Sequence, residues 1–75
     1  MLTNIEIFVI NKIKKLRLEN GLSQAELAHK INVSNGFIGK IESMKYNSKY
    51  NLNLINRVAK AFNISPQDLL PKKYL

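Results

Sequence analysis

Apolar residues recur every three or four positions along most of the chain, and each such stretch begins just after a polar residue that favours a helix cap. This spacing places the apolar side chains on one face of a helix, whereas the alternation expected of half-buried strands is nearly absent. The pattern therefore predicts an all-α fold, a compact bundle of five short helices. Their expected bounds are about residues 4–19, 24–31, 35–43, 52–62 and 66–70.

Two of the predicted helix starts carry the pattern of a capping box, in which a hydroxyl residue is followed three positions later by glutamate. Thr3 precedes Glu6, and Ser23 precedes Glu26. Each side chain is then expected to hydrogen bond to the other residue's backbone N–H, which stabilises the first helical turn. Gly21 is placed to end the first helix, because glycine adopts a left-handed conformation without a steric penalty.

The other helix starts are marked by single polar residues. Ser34 is expected to cap the third helix and Asn51 the fourth. Ser65 precedes Pro66, which fits the first position of a further short helix. Asn32 tolerates a left-handed conformation, so the second and third helices are expected to be joined by a turn of three residues, 32–34.

Composition limits the possible functions. The 75 residues contain no cysteine and one histidine, and they carry a net charge of +7. A chain of this length folds as one domain, for which dimerisation is a natural source of extra stability. The lack of cysteine and of a nucleophile paired with a base argues against an enzyme, a metal site or a cofactor.

The positive charge favours a polyanionic partner, either nucleic acid or an anionic membrane surface. The longest apolar run, Ile7 to Ile10, is far shorter than the ~20 residues that span a bilayer. We therefore expect a soluble cytoplasmic protein with no membrane partner and no small-molecule ligand.

The second and third predicted helices, with the short turn between them, have the arrangement of a helix-turn-helix unit. On the third helix, Ile38 and Ile41 share a face that we expect to be buried, and Gly36, Gly39 and Lys40 share the opposite face. Glycine is a poor helix former, so local propensity does not explain two glycines there. A close approach of the backbone to DNA would explain them.

Several sequence motifs resemble the Cro and phage-repressor (XRE-type) helix-turn-helix family. They are LSQAELA at residues 22–28, VS at residues 33–34 and IGKIE at residues 38–42, and weaker matches extend the resemblance over about residues 11–70. The resemblance implies a lambda-repressor-like domain between an N-terminal extension of the first helix, residues 1–10, and a C-terminal tail, residues 71–75. The chain departs from the family at Asn32, where glycine is usual, and in a segment between Glu42 and Asn51 that is about two residues longer.

The family resemblance also implies which residues meet DNA. Those expected to face the bases are Asn35, Gly36, Phe37, Gly39 and Lys40. Those expected to contact the phosphate backbone are Ser23, Gln24, Ser43, Lys45 and Lys49. Asparagine suits adenine and lysine suits guanine, whereas Phe37 either touches a thymine methyl or packs between helices. A structural ion pair between Arg17 and Glu42 is implied as well.

Two functions fit these observations. The leading interpretation is a sequence-specific regulator of transcription, a repressor or autoregulator, whose homodimer binds an inverted repeat in double-stranded DNA with the third helix in the major groove. The alternative is an antitoxin-type or scaffold module that binds a protein through the apolar N-terminal stretch, including Phe8 and Val9, and binds DNA weakly. Substitutions in the third helix distinguish the two functions, because only sequence-specific DNA binding depends on the side chains of that helix.

Overall fold

A computed structural model, which describes residues 1–75, has four α-helices, one short 3-10 helix and no β-strand. The elements are α1 (Asn4–Glu19), α2 (Gln24–Lys30), α3 (Phe37–Ser43), α4 (Leu52–Phe62) and the 3-10 helix (Pro66–Leu69). The prediction of a compact all-helical bundle is confirmed. The prediction of five α-helices is wrong, because the last element is a 3-10 turn. A segment of four residues is too short to build a ladder of α-helical hydrogen bonds, and a 3-10 turn satisfies its backbone instead.

The predicted caps form at most helix starts. In the first capping box, the Thr3 backbone N–H donates to Glu6 Oε1 at 2.8 Å and the Glu6 backbone N–H donates to Thr3 Oγ1 at 3.3 Å. Capping boxes also form at Ser23 and Ser65. Asn51 caps α4 by accepting from the backbone N–H of the residue three positions later, at 2.8 Å. These local interactions fix where each helix begins.

The start of α3 differs from the prediction by two residues. Gly36, not Ser34, is the N-cap, and no side chain caps this helix. The backbone carbonyl of Ser34 accepts from the Phe37 N–H at 3.1 Å, which closes a turn over Asn35 and Gly36. Because this turn uses the backbone of Ser34 rather than its hydroxyl, α3 begins at Phe37.

The turn between α2 and α3 depends on a left-handed residue. Asn32 has φ 58°, as its sequence position predicted. This conformation lets the Val33 backbone N–H donate to the carbonyl of Ala28 at 2.9 Å, which closes the end of α2. Asparagine therefore takes a left-handed conformation of the kind that glycine adopts without a steric penalty.

The hydrophobic core is a single cluster of buried side chains contributed by every helix. Its members are Val9, Ile10, Ile13, Leu27, Ala28, Ile31, Ile38, Ile41, Tyr50, Leu54, Ile55, Val58, Ala59 and Leu69. Val9 is 4% exposed and Ile10 is fully buried. Residues 4–10 are thus the first part of α1, and Val9 and Ile10 belong to the core.

No helix of the structure is both long enough and apolar enough to cross a membrane.

Candidate nucleic-acid interface

A bidentate ion pair holds α3 against α1. Arg17 donates to both carboxylate oxygens of Glu42, from Nη2 to Oε1 at 2.8 Å and from Nε to Oε2 at 2.9 Å. The two side chains are only 8% and 4% exposed. Arg17 Nη1 also donates to the carbonyl of Leu22, just before α2, at 2.8 Å. The pair thus connects α1, the loop before α2, and α3.

The ionisation of Glu42 reflects these contacts. Burial disfavours the charged carboxyl group, but hydrogen bonds from Arg17 and Gln24 outweigh that effect and lower the pKa of Glu42 below its usual value. Glu42 is therefore a carboxylate at neutral pH, and it acts only as a hydrogen-bond acceptor.

Gln24 reaches from the first residue of α2 across to α3. Its Nε2 donates to Glu42 Oε1 at 3.0 Å, and its Oε1 lies 3.1 Å from the position that a Cβ at Gly39 would occupy. The residue as a whole is exposed. Its side chain is thus at the surface, but two residues of α3 define where the amide lies.

Three of the residues predicted to face bases are exposed. Asn35 and Gly36 lie in the turn before α3, and Lys40 lies within the helix. The Lys40 ammonium group is 5.4 Å from the centroid of the Tyr46 ring, a distance at which a cation–π interaction forms. Gly39 is half-buried against Gln24.

Phe37 is placed differently from the exposed residues Asn35, Gly36 and Lys40. It is half-buried, and its side chain packs against the hydrophobic core. The structure therefore supports the packing alternative for this residue, which holds the first turn of α3 on the bundle.

The residues predicted to contact phosphates differ in the hydrogen bonds and ion pairs that they already form within the protein. Ser23 is exposed, and its hydroxyl oxygen accepts from the Glu26 backbone N–H at 3.0 Å. Ser43 is exposed, donates to the Lys40 carbonyl at 2.8 Å and accepts weakly from the Lys45 N–H at 3.4 Å. Lys45 is exposed and forms no ion pair. These hydrogen bonds keep Lys45 close to the C-terminal end of α3 at the surface.

Lys49 is engaged elsewhere. Its ammonium group forms an ion pair with Glu6 Oε2 at 3.0 Å, which connects the segment after α3 to the first turn of α1. Arg17 and Lys49 are the only two of the twelve lysine and arginine residues in ion pairs. The rest of the positive charge is uncompensated by direct contacts, so the surface attracts polyanions.

Tyr50 is a residue that the sequence analysis missed. It is 6% exposed, and its hydroxyl group has no hydrogen-bond partner. Burial raises the pKa of Tyr50, and the nearby charge of Glu42 adds to this effect. Its position in a polar stretch, directly before the cap Asn51, gave no periodic signal of burial.

A tight turn joins α2 to α3, and α3 carries exposed polar and basic residues. This arrangement defines a DNA-binding domain of the helix-turn-helix class. Comparison with known families gives the same result. The helix-turn-helix family model HTH_3 matches residues 13–69. The chain therefore belongs to this helix-turn-helix family, which confirms its resemblance to Cro and the phage repressors.

A solved structure has the same fold. It is described as the hypothetical transcription factor NHTF from Neisseria, and it superimposes with a TM-score of 0.77 at 22% sequence identity. The superposition covers 91% of this chain and 76% of that chain. A comparison with curated proteins finds no match.

Proposed function

We propose that this protein is a sequence-specific regulator of transcription that represses its target as a homodimer on double-stranded DNA. In this proposal, α3 of each copy enters the major groove, and two copies bind the halves of an inverted repeat about one helical turn, ~34 Å, apart. Membership of the helix-turn-helix family supports DNA as the partner. The description of the structural neighbour as a transcription factor supports a regulatory role.

The observation that carries the proposal is the contrast between the two sides of α3. Ile38 and Ile41 of α3 are fully buried, whereas Lys40 of the same helix is exposed, as are Asn35 and Gly36 in the turn before it. The exposed side chains of Asn35 and Lys40 have hydrogen-bonding groups that distinguish base pairs in the major groove. The buried side fixes their position relative to the rest of the domain.

In the proposed complex, Asn35, Gly36 and Lys40 face bases, and Ser23, Gln24, Ser43 and Lys45 contact phosphates. Lys49 also contacts a phosphate in the proposed complex, because the exposed ion pair with Glu6 that it would release contributes little stability. Phe37 acts by packing.

The alternative of a protein-interaction module has less support. It requires an accessible apolar N-terminal stretch, but Val9 is 4% exposed and Phe8 is half-buried. Val9 belongs to the core, so a substitution there would disturb the packing of the bundle. Phe8 lies outside the core cluster and is the residue of this pair at which a partner contact can be tested.

The experiment is selection from a random duplex pool with the full chain at roughly physiological salt, where non-specific binding is weak, with Kd ~10⁻⁴–10⁻⁶ M. We expect one inverted repeat to be enriched, and a complex of two chains per duplex. Lys40→Ala should then lose about 1–3 kcal/mol of discrimination at one symmetric base pair. Lys72→Ala is the control, because it removes the same charge from an exposed position in the tail. Retention without an enriched motif would refute sequence-specific regulation.

A further inference from the structure

The two glycines at α3 have different surroundings. A Cβ built at Gly39 lies 3.1 Å from Oε1 and 3.8 Å from Cδ of Gln24, whereas a Cβ at Gly36 meets no atom within 4 Å. A side chain at Gly39 would therefore crowd the Gln24 amide, which would have to shift to make room for it. Contact within the protein explains the glycine at this position without any contact to a base.

Glu42 holds the same amide from another direction. Gln24 Nε2 donates to Glu42 Oε1 at 3.0 Å, and Arg17 fixes that carboxylate with two hydrogen bonds. A carboxylate only accepts hydrogen bonds, so the nitrogen of the amide must face Glu42 and the oxygen must face Gly39. The amide of Gln24 therefore has one defined orientation in the free protein.

This orientation leaves a donor available. The Nε2 group of Gln24 carries two hydrogens, and the structure gives it a single acceptor, Glu42. The second N–H is free to donate to an anionic oxygen outside the protein. A side chain that is already ordered before binding loses less conformational entropy when it makes such a contact.

We infer that Gly39 and Glu42 are positioning residues that act on DNA through Gln24, by holding its amide so that the free N–H meets a backbone phosphate oxygen. This inference rests on the proposed DNA-binding function, and it revises the expectation that Gly39 faces a base. It assigns the two glycines different roles: Gly36 lies against the DNA, and Gly39 makes room for Gln24.

A double-mutant cycle tests this assignment. The variants are Gly39→Ala, Gln24→Ala and the double variant, and the measurement is the Kd for a short duplex of random sequence at low salt, because phosphate contacts do not depend on sequence. Gln24→Ala should weaken binding about tenfold. Gly39→Ala should weaken it about three- to tenfold by displacing the amide, and should have no further effect once Gln24 is absent.

Gly36→Ala combined with Gln24→Ala is the matched control, since Gly36 does not contact Gln24. We expect the effects of this pair to add. If Gly39→Ala also weakens binding equally with and without Gln24, then Gly39 meets the DNA directly and the inference is overturned. If the wild-type protein binds no duplex at all, the proposed function itself fails, which is a different result.

A measurement without DNA tests the same geometry. The Gln24 side-chain amide should give an ordered signal, with a high order parameter, in the nuclear magnetic resonance spectrum of the free protein. Gly39→Ala and Glu42→Gln should each make it mobile, whereas Gly36→Ala should leave it unchanged. A mobile Gln24 amide in the wild-type protein would contradict the inference. Gly39→Ala should not lower the thermal midpoint, because alanine is the better helix former.

Discussion

Breaking the Arg17–Glu42 ion pair should cost a large part of the stability of this small domain. In Arg17→Met, the Glu42 carboxylate stays buried, with a side chain only 4% exposed, and keeps Gln24 as its remaining partner. Leaving one member of a buried pair without its partner costs about 3–5 kcal/mol. A domain of 75 residues has a total free energy of unfolding of about 4–11 kcal/mol. We therefore expect Arg17→Met to lose at least about a quarter of the stability, and to unfold the domain if the total lies at the low end of this range.

The double variant Arg17→Met/Glu42→Leu should recover most of this loss. Replacing both members of a buried pair by apolar residues of similar size is often neutral or stabilising. Here, the hydrogen bond from Arg17 to the Leu22 carbonyl is also lost, at a cost of about 1 kcal/mol. The double variant should therefore be about 1–2 kcal/mol less stable than the wild type, much less than the two single changes added together.

The assay is urea unfolding followed by circular dichroism at neutral pH, with the slope of the transition compared among variants. Lys49→Ala is the control, because it breaks the other ion pair, whose side chains are 45% and 25% exposed. An exposed pair of this kind should contribute little. Single variants at Arg17 and Glu42 that cost no more than this control, and whose effects add, would refute the argument.

Three further predictions concern stability. The pKa of Glu42 is lowered in the folded state, so the stability that its carboxylate contributes is present above the unfolded pKa of ~4.3 and is lost as the pH falls through the folded pKa. Glu42→Gln should therefore lose less stability in acid than the wild type. Asn51→Ala should cost about 1 kcal/mol by removing the cap of α4, whereas Asn53→Ala, at an exposed helical position, should be nearly neutral in urea unfolding. Tyr50→Phe should leave the thermal midpoint unchanged or raise it, because it removes a buried hydroxyl group that has no partner, and a clear decrease would indicate that this hydroxyl is hydrogen bonded in solution.

Features that depend on residues three or four apart were predictable from the sequence. The capping boxes and the left-handed turn at Asn32 are local, so a short stretch of residues determines them. The start of α3 was predicted wrongly for a local reason too. At Ser34, a side-chain cap competes with a backbone turn, and the turn prevails in the structure.

Contacts between distant residues were predictable only where the family pattern supplied them. The pairing of Arg17 with Glu42 follows from the resemblance, but no motif indicated the ion pair between Lys49 and Glu6 or the burial of Tyr50. These contacts depend on how the segment after α3 returns to α1. No motif of the resemblance falls in that segment, so the resemblance did not determine its path.

Glu42 contributes both to the stability of the domain and to the candidate DNA interface, and this double role affects how binding data for Glu42 variants are interpreted. Glu42 pairs with Arg17 in the interior and holds Gln24 at the surface, so its substitution should reduce both the folded population and the order of the interface. A loss of DNA binding in a Glu42 variant cannot be assigned to either cause alone. Gly39 has no such double role, because alanine there favours the helix while it displaces Gln24. A Gly39→Ala variant that is as stable as the wild type and binds DNA more weakly would therefore locate the defect in the position of the Gln24 amide.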